Sequence, residues 1–180
     1  NGGLTPGNSH SWNVITQRFA YDFVIADKSF HRHEAQGTSV EDYYCYGQTI
    51  VSVADGVVVK VVNNKRTAPF VGYGVIDFLT TSFIGNHIII KHNDHEFSFY
   101  AHLIKNSATV KVGSKVSQGQ AIAKCGHSGY SSEPHLHFHL QNKKNFYSAI
   151  GLPIRFDNII VDGERTDQAS ISVANRVQNL

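Results

Sequence analysis

Hydrophobic and polar positions alternate along much of this chain with a period of two, the spacing of strands whose successive side chains point to opposite faces. The alternation is clearest in Glu133–Leu140, where Leu136, Phe138 and Leu140 share one side and His135, His137 and His139 the other. It recurs from Arg18 to Ala26, with Phe19, Tyr21, Phe23 and Ile25 opposed to Ala20, Asp22 and Val24. Asn86–His92 and Phe97–Leu103 flank the turn Asn93–Glu96; in the second, Phe97, Phe99 and Ala101 oppose Ser98, Tyr100 and His102. Val-rich arms around Asp55-Gly56 predict a β-hairpin over Ile50–Val62. Shorter strand pieces are expected around Gly113 and Gly119, and a short helix near Val40–Tyr44. Helical periodicity is nearly absent. Many short strands between glycine-containing turns predict an all-β fold, an antiparallel β-sandwich or a barrel-sandwich-like architecture.

Residues 1–160 read as one domain, with a polar loop insertion at about 27–48 and a long loop or hairpin excursion over 63–85. Residues 1–9 read as irregular. From Val161 the chain turns polar, and 161–180 is expected to be a C-terminal tail or an extra strand of the same domain. No apolar run approaches membrane-spanning length, so no transmembrane segment is expected in this chain.

Composition narrows the chemistry. The chain has 180 residues with 41% hydrophobic content, enough for one sizeable core. A net charge of +2, with no dense Lys/Arg run, argues against a nucleic-acid partner. There is no Met, which leads to the expectation of a mature or trimmed form with an export signal removed. Cys45 and Cys125 carry no C-x-x-C spacing; a disulfide outside the cell and two inert thiols are both open. The unusual count is histidine, at 11. Imidazole is a common metal ligand and the usual acid/base near neutral pH. A row of three on one strand face thus suggests a metal site with a base beside it, or else a polar face that happens to carry histidines. Asp22, an acid within an aromatic run, needs a cation, hydrogen-bond donors or a metal if buried.

The motifs resemble a known family. Pro134-His135-Leu136-His137-Phe138, preceded by Gly126-His127-Ser128-Gly129, looks like the signature of lysostaphin-type (LytM-domain) zinc metalloendopeptidases. Tyr100-Ala101-His102-Leu103, the Val112-Gly113…Val116…Gly119-Gln120…Ile122 segment, Ile50–Val58 and Tyr21-Asp22-Phe23 are similar to its other motifs, in order, over about residues 10–156. The resemblance implies a β-sandwich with an active-site groove over one sheet and a single Zn2+ held by His10, Asp22 and His137. It also implies catalytic assistance from His102 and His135, and hydrolysis of peptidoglycan cross-links or stem peptides by attack of a zinc-bound water. Tyr100 and Tyr130 are candidates for the substrate groove. The implied location is secreted, periplasmic or cell-envelope associated. His10 precedes Asp22 by twelve positions, a longer spacing than in the best-known members, and His31 and His33 are rivals for that ligand. Position 139, commonly acidic in relatives, is His.

Two other classes stay open. One is a non-catalytic wall-binding or regulatory domain on the same scaffold. The other is a carrier domain of biotinyl, lipoyl or phosphocarrier type, suggested by the Val-Gly-x-x-Val-x-x-Gly pattern; the absence of Met argues against a biotin carrier.

Overall fold

The computed structural model describes residues 10, 12–67, 71–72, 82–172 and 175–179. The stretch 1–9, read above as irregular, and much of the 63–85 excursion lie outside the described residues. No helix of the described residues is long and apolar enough to cross a membrane. Among the described residues, twelve strands alternate with turns: β1 (Tyr21–Phe23), β2 (Thr49–Val51), β3 (Gly56–Val62), β4 (Asn86–Asn93), β5 (Glu96–Leu103), β6 (Lys115–Val116), β7 (Ala121–Lys124), β8 (Leu136–Gln141), β9 (Gly151–Leu152), β10 (Phe156–Val161), β11 (Glu164–Ala169) and β12 (Val177–Asn179). A 3-10 turn at Val40–Asp42 occupies the expected short helical position.

A seven-stranded antiparallel sheet, ordered β1-β8-β5-β4-β3-β6 with β9 also on β8, forms the body. Its two faces differ because neighbouring strands keep their alternation in register. Tyr100 pairs with Phe138 and with Ile88, which puts these three on one face; Phe99 pairs with His139, and Ala101 with His137, on the other. The first face packs Ile88, Ile90, Tyr100 and Phe138 against Ile50, Ile122 and Ala123 of a β2–β7 ribbon, closing the sandwich. Each fully buried side chain of this size contributes about 1.5–3 kcal/mol. The second face carries a smaller cluster of Ile84, Ile89, Phe97, Phe99 and Ala101, which floors the histidine row.

The expected hairpin over Ile50–Val62 is not formed. β2 pairs with β7, while β3 pairs with β4 and β6. Asp55 still makes a turn, but its Oδ1 accepts from Gln118 N at 2.7 Å and so docks on the segment ahead of β7. Pairing β2 with β7 lets Ile50 and Ile122 bury together against the main sheet's Ile88, Ile90, Tyr100 and Phe138, which local pairing of the two Val-rich arms would not do.

Beyond the body, β10, β11 and β12 make a three-stranded sheet ordered β11-β10-β12. It is tied to the body through Phe156, whose ring meets Tyr21 and Phe23 edge-on at 5.5 and 6.0 Å.

Candidate active site

Of the strand expected from Arg18 to Ala26, only Tyr21–Phe23 pairs as β1, antiparallel to β8. Tyr21 and Phe23 turn into the main core, which leaves Asp22 pointing to the opposite face. The β1–β8 register sets Asp22 directly opposite His137. His137 Nδ1 lies 3.1 Å from Asp22 Oδ1, and His10 Nε2 lies 3.5 Å from Asp22 Oδ2. The His10 ring meets that of His137 edge-on at 4.8 Å. One ligand atom from each of His10, Asp22 and His137 falls within 4.8 Å of the other two. A tetrahedral ion with bonds of about 2.1 Å separates its ligand atoms by roughly 3.4 Å. The observed 3.1 and 3.5 Å separations suit such an ion, and two imidazoles with one carboxylate are a donor set zinc accepts.

His102 reaches this face by a device that alternation does not encode. Strict alternation would send it to the core side with Tyr100. Between the pairs Ile88↔Tyr100 and Asn86↔Leu103, however, the single residue His87 faces both Ala101 and His102. This β-bulge puts His102 at φ 60°, a left-handed conformation costing a non-glycine residue about 1–3 kcal/mol. The bulge turns the ring toward His135, with centroids 4.6 Å apart, and His137, at 6.0 Å. His102 Nδ1 donates to Ser128 O at 2.8 Å, which leaves Nε2 unprotonated in the neutral ring. Ser128 is itself fixed: its Oγ donates to Leu103 O and accepts from Asn86 N, at 2.7 and 2.9 Å. Next to it, Gly129 sits at φ 80° so close to Gly85 that an added Cβ would stand 2.5 Å from the Gly85 nitrogen.

His135 is anchored in the same manner. Its Nδ1 donates to Glu133 O at 2.7 Å, and its Nε2 stands 3.6 Å from Asp22 Oδ1. An isolated bridge joins Gly126 to His135, and a Cβ on Gly126 would meet Ile104 N at 2.6 Å and His102 O at 2.8 Å. Only glycine lets these three segments come together.

Burial favours the neutral form of His10 and of His102. Burial pushes His10 down to about 4; nearby His137 and His135 add to this and Asp22 opposes it. Burial, with the fields of His135 and His137, also holds His102 well below the ordinary imidazole range. For Asp22, burial pushes upward, but His137 and the surrounding histidines, when protonated toward it, outweigh burial and hold the carboxyl well below its usual range. Neutral imidazoles present lone pairs, which both metal binding and proton acceptance require.

Other expectations sort differently. His31 is exposed and pairs with Asp27, and His33 packs on Tyr43; neither approaches the cluster of His10, Asp22 and His137. Tyr100 does not edge a groove. It is 1% exposed in the main core, because it faces Phe138 and Ile88, and its hydroxyl accepts from Val53 N. Tyr130 is exposed and stacks on Phe83. The histidine row shares one face, yet that face is covered: His139 is fully buried against Phe99 and Phe146. Cys45 and Cys125 are buried free thiols. Asn86, Ser131 and Gln141, buried polar side chains that hold others, were not singled out from the sequence; Asn86 opens β4 and Gln141 ends β8 beside apolar residues, which was a signal, whereas Ser131 lies in the loop ahead of β8 and offered none.

A groove of about 840 Å³ runs along β1, lined by Asp22, Phe23, Arg32, Glu133 and His135 and also walled by Ile171, Ser172 and residues 175–178, Arg176 included. Arg176 clamps that wall to the 27–30 loop, donating to the carbonyl oxygens of Asp27 and Lys28 and stacking over Phe30. Arg32 and Glu133 form an ion pair.

A β-sandwich with two imidazoles and a carboxylate converging beside two further histidines is the arrangement of a metallopeptidase class. The chain belongs to peptidase family M23, whose family model matches residues 36–148. That span holds His102, His135 and His137; His10 and Asp22 lie before it, and the fold alone brings them in. Among curated relatives, the chain is 41% identical over 97 residues to the murein hydrolase activator NlpD of Salmonella dublin, covering 54% of this chain and 21% of that protein. It is 33% identical over 94 residues to the peptidoglycan DD-endopeptidase ShyA of Vibrio cholerae, covering 52% and 17%. The chain therefore spans about a fifth of the length of these relatives. Among solved structures, the catalytic domain of the antimicrobial peptidase lysostaphin from Staphylococcus simulans aligns over 73% of this chain and 85% of that one, at 23% identity and a TM-score of 0.43.

Proposed function

We propose that this chain is a zinc-dependent endopeptidase that hydrolyses peptide bonds of peptidoglycan, in cross-links or stem peptides, and acts in the cell envelope or outside it. The observation that carries the reading is the convergence of His10, Asp22 and His137 with His102 and His135 alongside. In this reading His10, Asp22 and His137 hold the ion. Bound zinc would supply Lewis acidity, polarising a peptide carbonyl and acidifying water.

The chain's own residues do the rest. His102 and His135 each tie Nδ1 to a backbone carbonyl, so each offers Nε2 to the reacting atoms. One ring takes the proton of the attacking water and the pair delivers it to the departing amine; a protonated ring also stabilises the developing oxyanion. The groove along β1 receives the peptide, with Phe23 and the Arg32–Glu133 pair at its sides.

A second reading, a regulatory domain that activates other wall hydrolases, draws on the likeness to an activator of murein hydrolases. The furnished site favours the enzyme. Elemental analysis of purified protein should give about one zinc per chain, and His137→Ala should lose both zinc and cleavage of purified peptidoglycan peptides. Normal cleavage by that variant would overturn the reading, and zinc-loaded parent protein with no cleavage would favour the regulatory one.

A further inference from the structure

Behind the proposed ligand His137 runs a chain of hydrogen bonds that ends on backbone. His137 Nε2 lies 3.0 Å from His139 Nδ1, and His139 Nε2 lies 2.8 Å from Gln141 Oε1. The Gln141 amide nitrogen donates to Lys143 O at 2.6 Å and Lys144 O at 3.3 Å. All three side chains lie on one face of β8, and His139 and Gln141 are fully buried.

The direction of every proton in this chain follows from its far end. Carbonyl oxygens only accept, so the Gln141 atom facing Lys143 and Lys144 is its NH2 and its oxygen faces His139. That oxygen takes the hydrogen on His139 Nε2. The neutral His139 ring then has a bare Nδ1, which accepts from His137 Nε2–H. His137 is left with a bare Nδ1, aimed at Asp22 Oδ1 from 3.1 Å. Two acceptors at that distance repel unless a cation lies between them.

We propose that His139 and Gln141 are positioning residues that lock His137 in its Nε2–H tautomer and so keep the Nδ1 lone pair available to a metal ion. The inference rests on His137 being a ligand, as read above. Without His139 as acceptor, Asp22 becomes the best hydrogen-bond partner of His137, and the proton moves to Nδ1, where a metal must displace it. Partners of ligating histidines outside the coordination sphere typically change metal affinity by about 10–100-fold.

The test reads the tautomer directly. Long-range 1H–15N NMR of the metal-free full chain at neutral pH should show His137 protonated at Nε2 and bare at Nδ1. His139→Phe keeps a flat ring against Phe99 but removes the acceptor. It should shift His137 toward the Nδ1–H form and weaken zinc binding about 10–100-fold. His139→Asn places an oxygen near the former Nδ1 position and should restore both. An Nδ1–H tautomer in the parent chain overturns the proposal, and that measurement stands even if His139→Phe does not fold. So does a His139→Phe variant with parental tautomer and zinc affinity, or equal losses in the Phe and Asn variants, which would mark a packing role. If the parent shows the Nε2–H tautomer but binds no zinc, the relay stands and the hydrolase reading fails.

Discussion

The two faces of β5 and β8 are made from the same strands and stabilised in opposite ways. On one face Tyr100 and Phe138 contribute by leaving water, and few directional contacts are needed. On the other, His102, His135, His137 and His139 are almost as deeply buried, yet each ring has a nitrogen with a named partner: Ser128 O, Glu133 O, His139 and Gln141. An imidazole without a partner in such a place would cost more than its burial gains. The lesson is that the histidine face is built from its hydrogen bonds, and the core face from its volumes.

Substitutions on each side can break that contrast. The largest effect is expected on the chemistry: His102→Ala should lower kcat about 10²–10⁴-fold, the usual contribution of a general acid/base. Zinc content, read by elemental analysis, should stay at the parental value, because His102 is outside the proposed ligand set. On the core face, Phe138→Ala should cost about 3–5 kcal/mol in urea unfolding, by cavity formation. Zinc released on dilution in that variant would be secondary to unfolding.

His87 probes the cost of a buried ring whose bonding is incomplete. It stacks on Phe99 and donates from Nδ1 to Gly85 O, while its Nε2 has no hydrogen-bond partner among the described residues. Burial pushes it down to about 4, with the Gly85 bond opposing and Lys60 assisting. In the unfolded chain it protonates near 6.5, so between about 6.5 and 4 the unfolded state binds the extra proton. Stability should therefore fall as pH drops through that window, by up to about 3 kcal/mol. His87→Leu should flatten this limb of a stability–pH curve; an unchanged slope would assign the acid sensitivity to other groups. The smallest effect is expected from His31→Ala. His31 is exposed and outside the cluster, so unfolding should shift by less than about 0.5 kcal/mol, and zinc content should not change.

Much of this architecture is legible in the sequence. The alternation in Leu136–Leu140 and Tyr21–Phe23 predicted strands with a polar and an apolar side, and β8 and β1 carry them that way. What misled was local pairing. The Val-rich arms around Asp55-Gly56 look like a hairpin, but β2 pairs with β7, a partner some seventy residues away that no window of sequence contains. Tyr100 was set beside His102 by counting in twos, and one bulge separates them.

By itself the sequence determined which side chains could carry chemistry and the period that arranges them, because strand alternation is a property of the backbone and needs no neighbours. Tertiary structure alone decided which of eleven histidines meet. His10 rather than His31 or His33 lies beside Asp22, His102 turns by a strained φ, and His139 disappears into a relay. Those outcomes depend on register, a bulge and close glycine contacts between distant segments, which are set only when the whole sheet closes over its core.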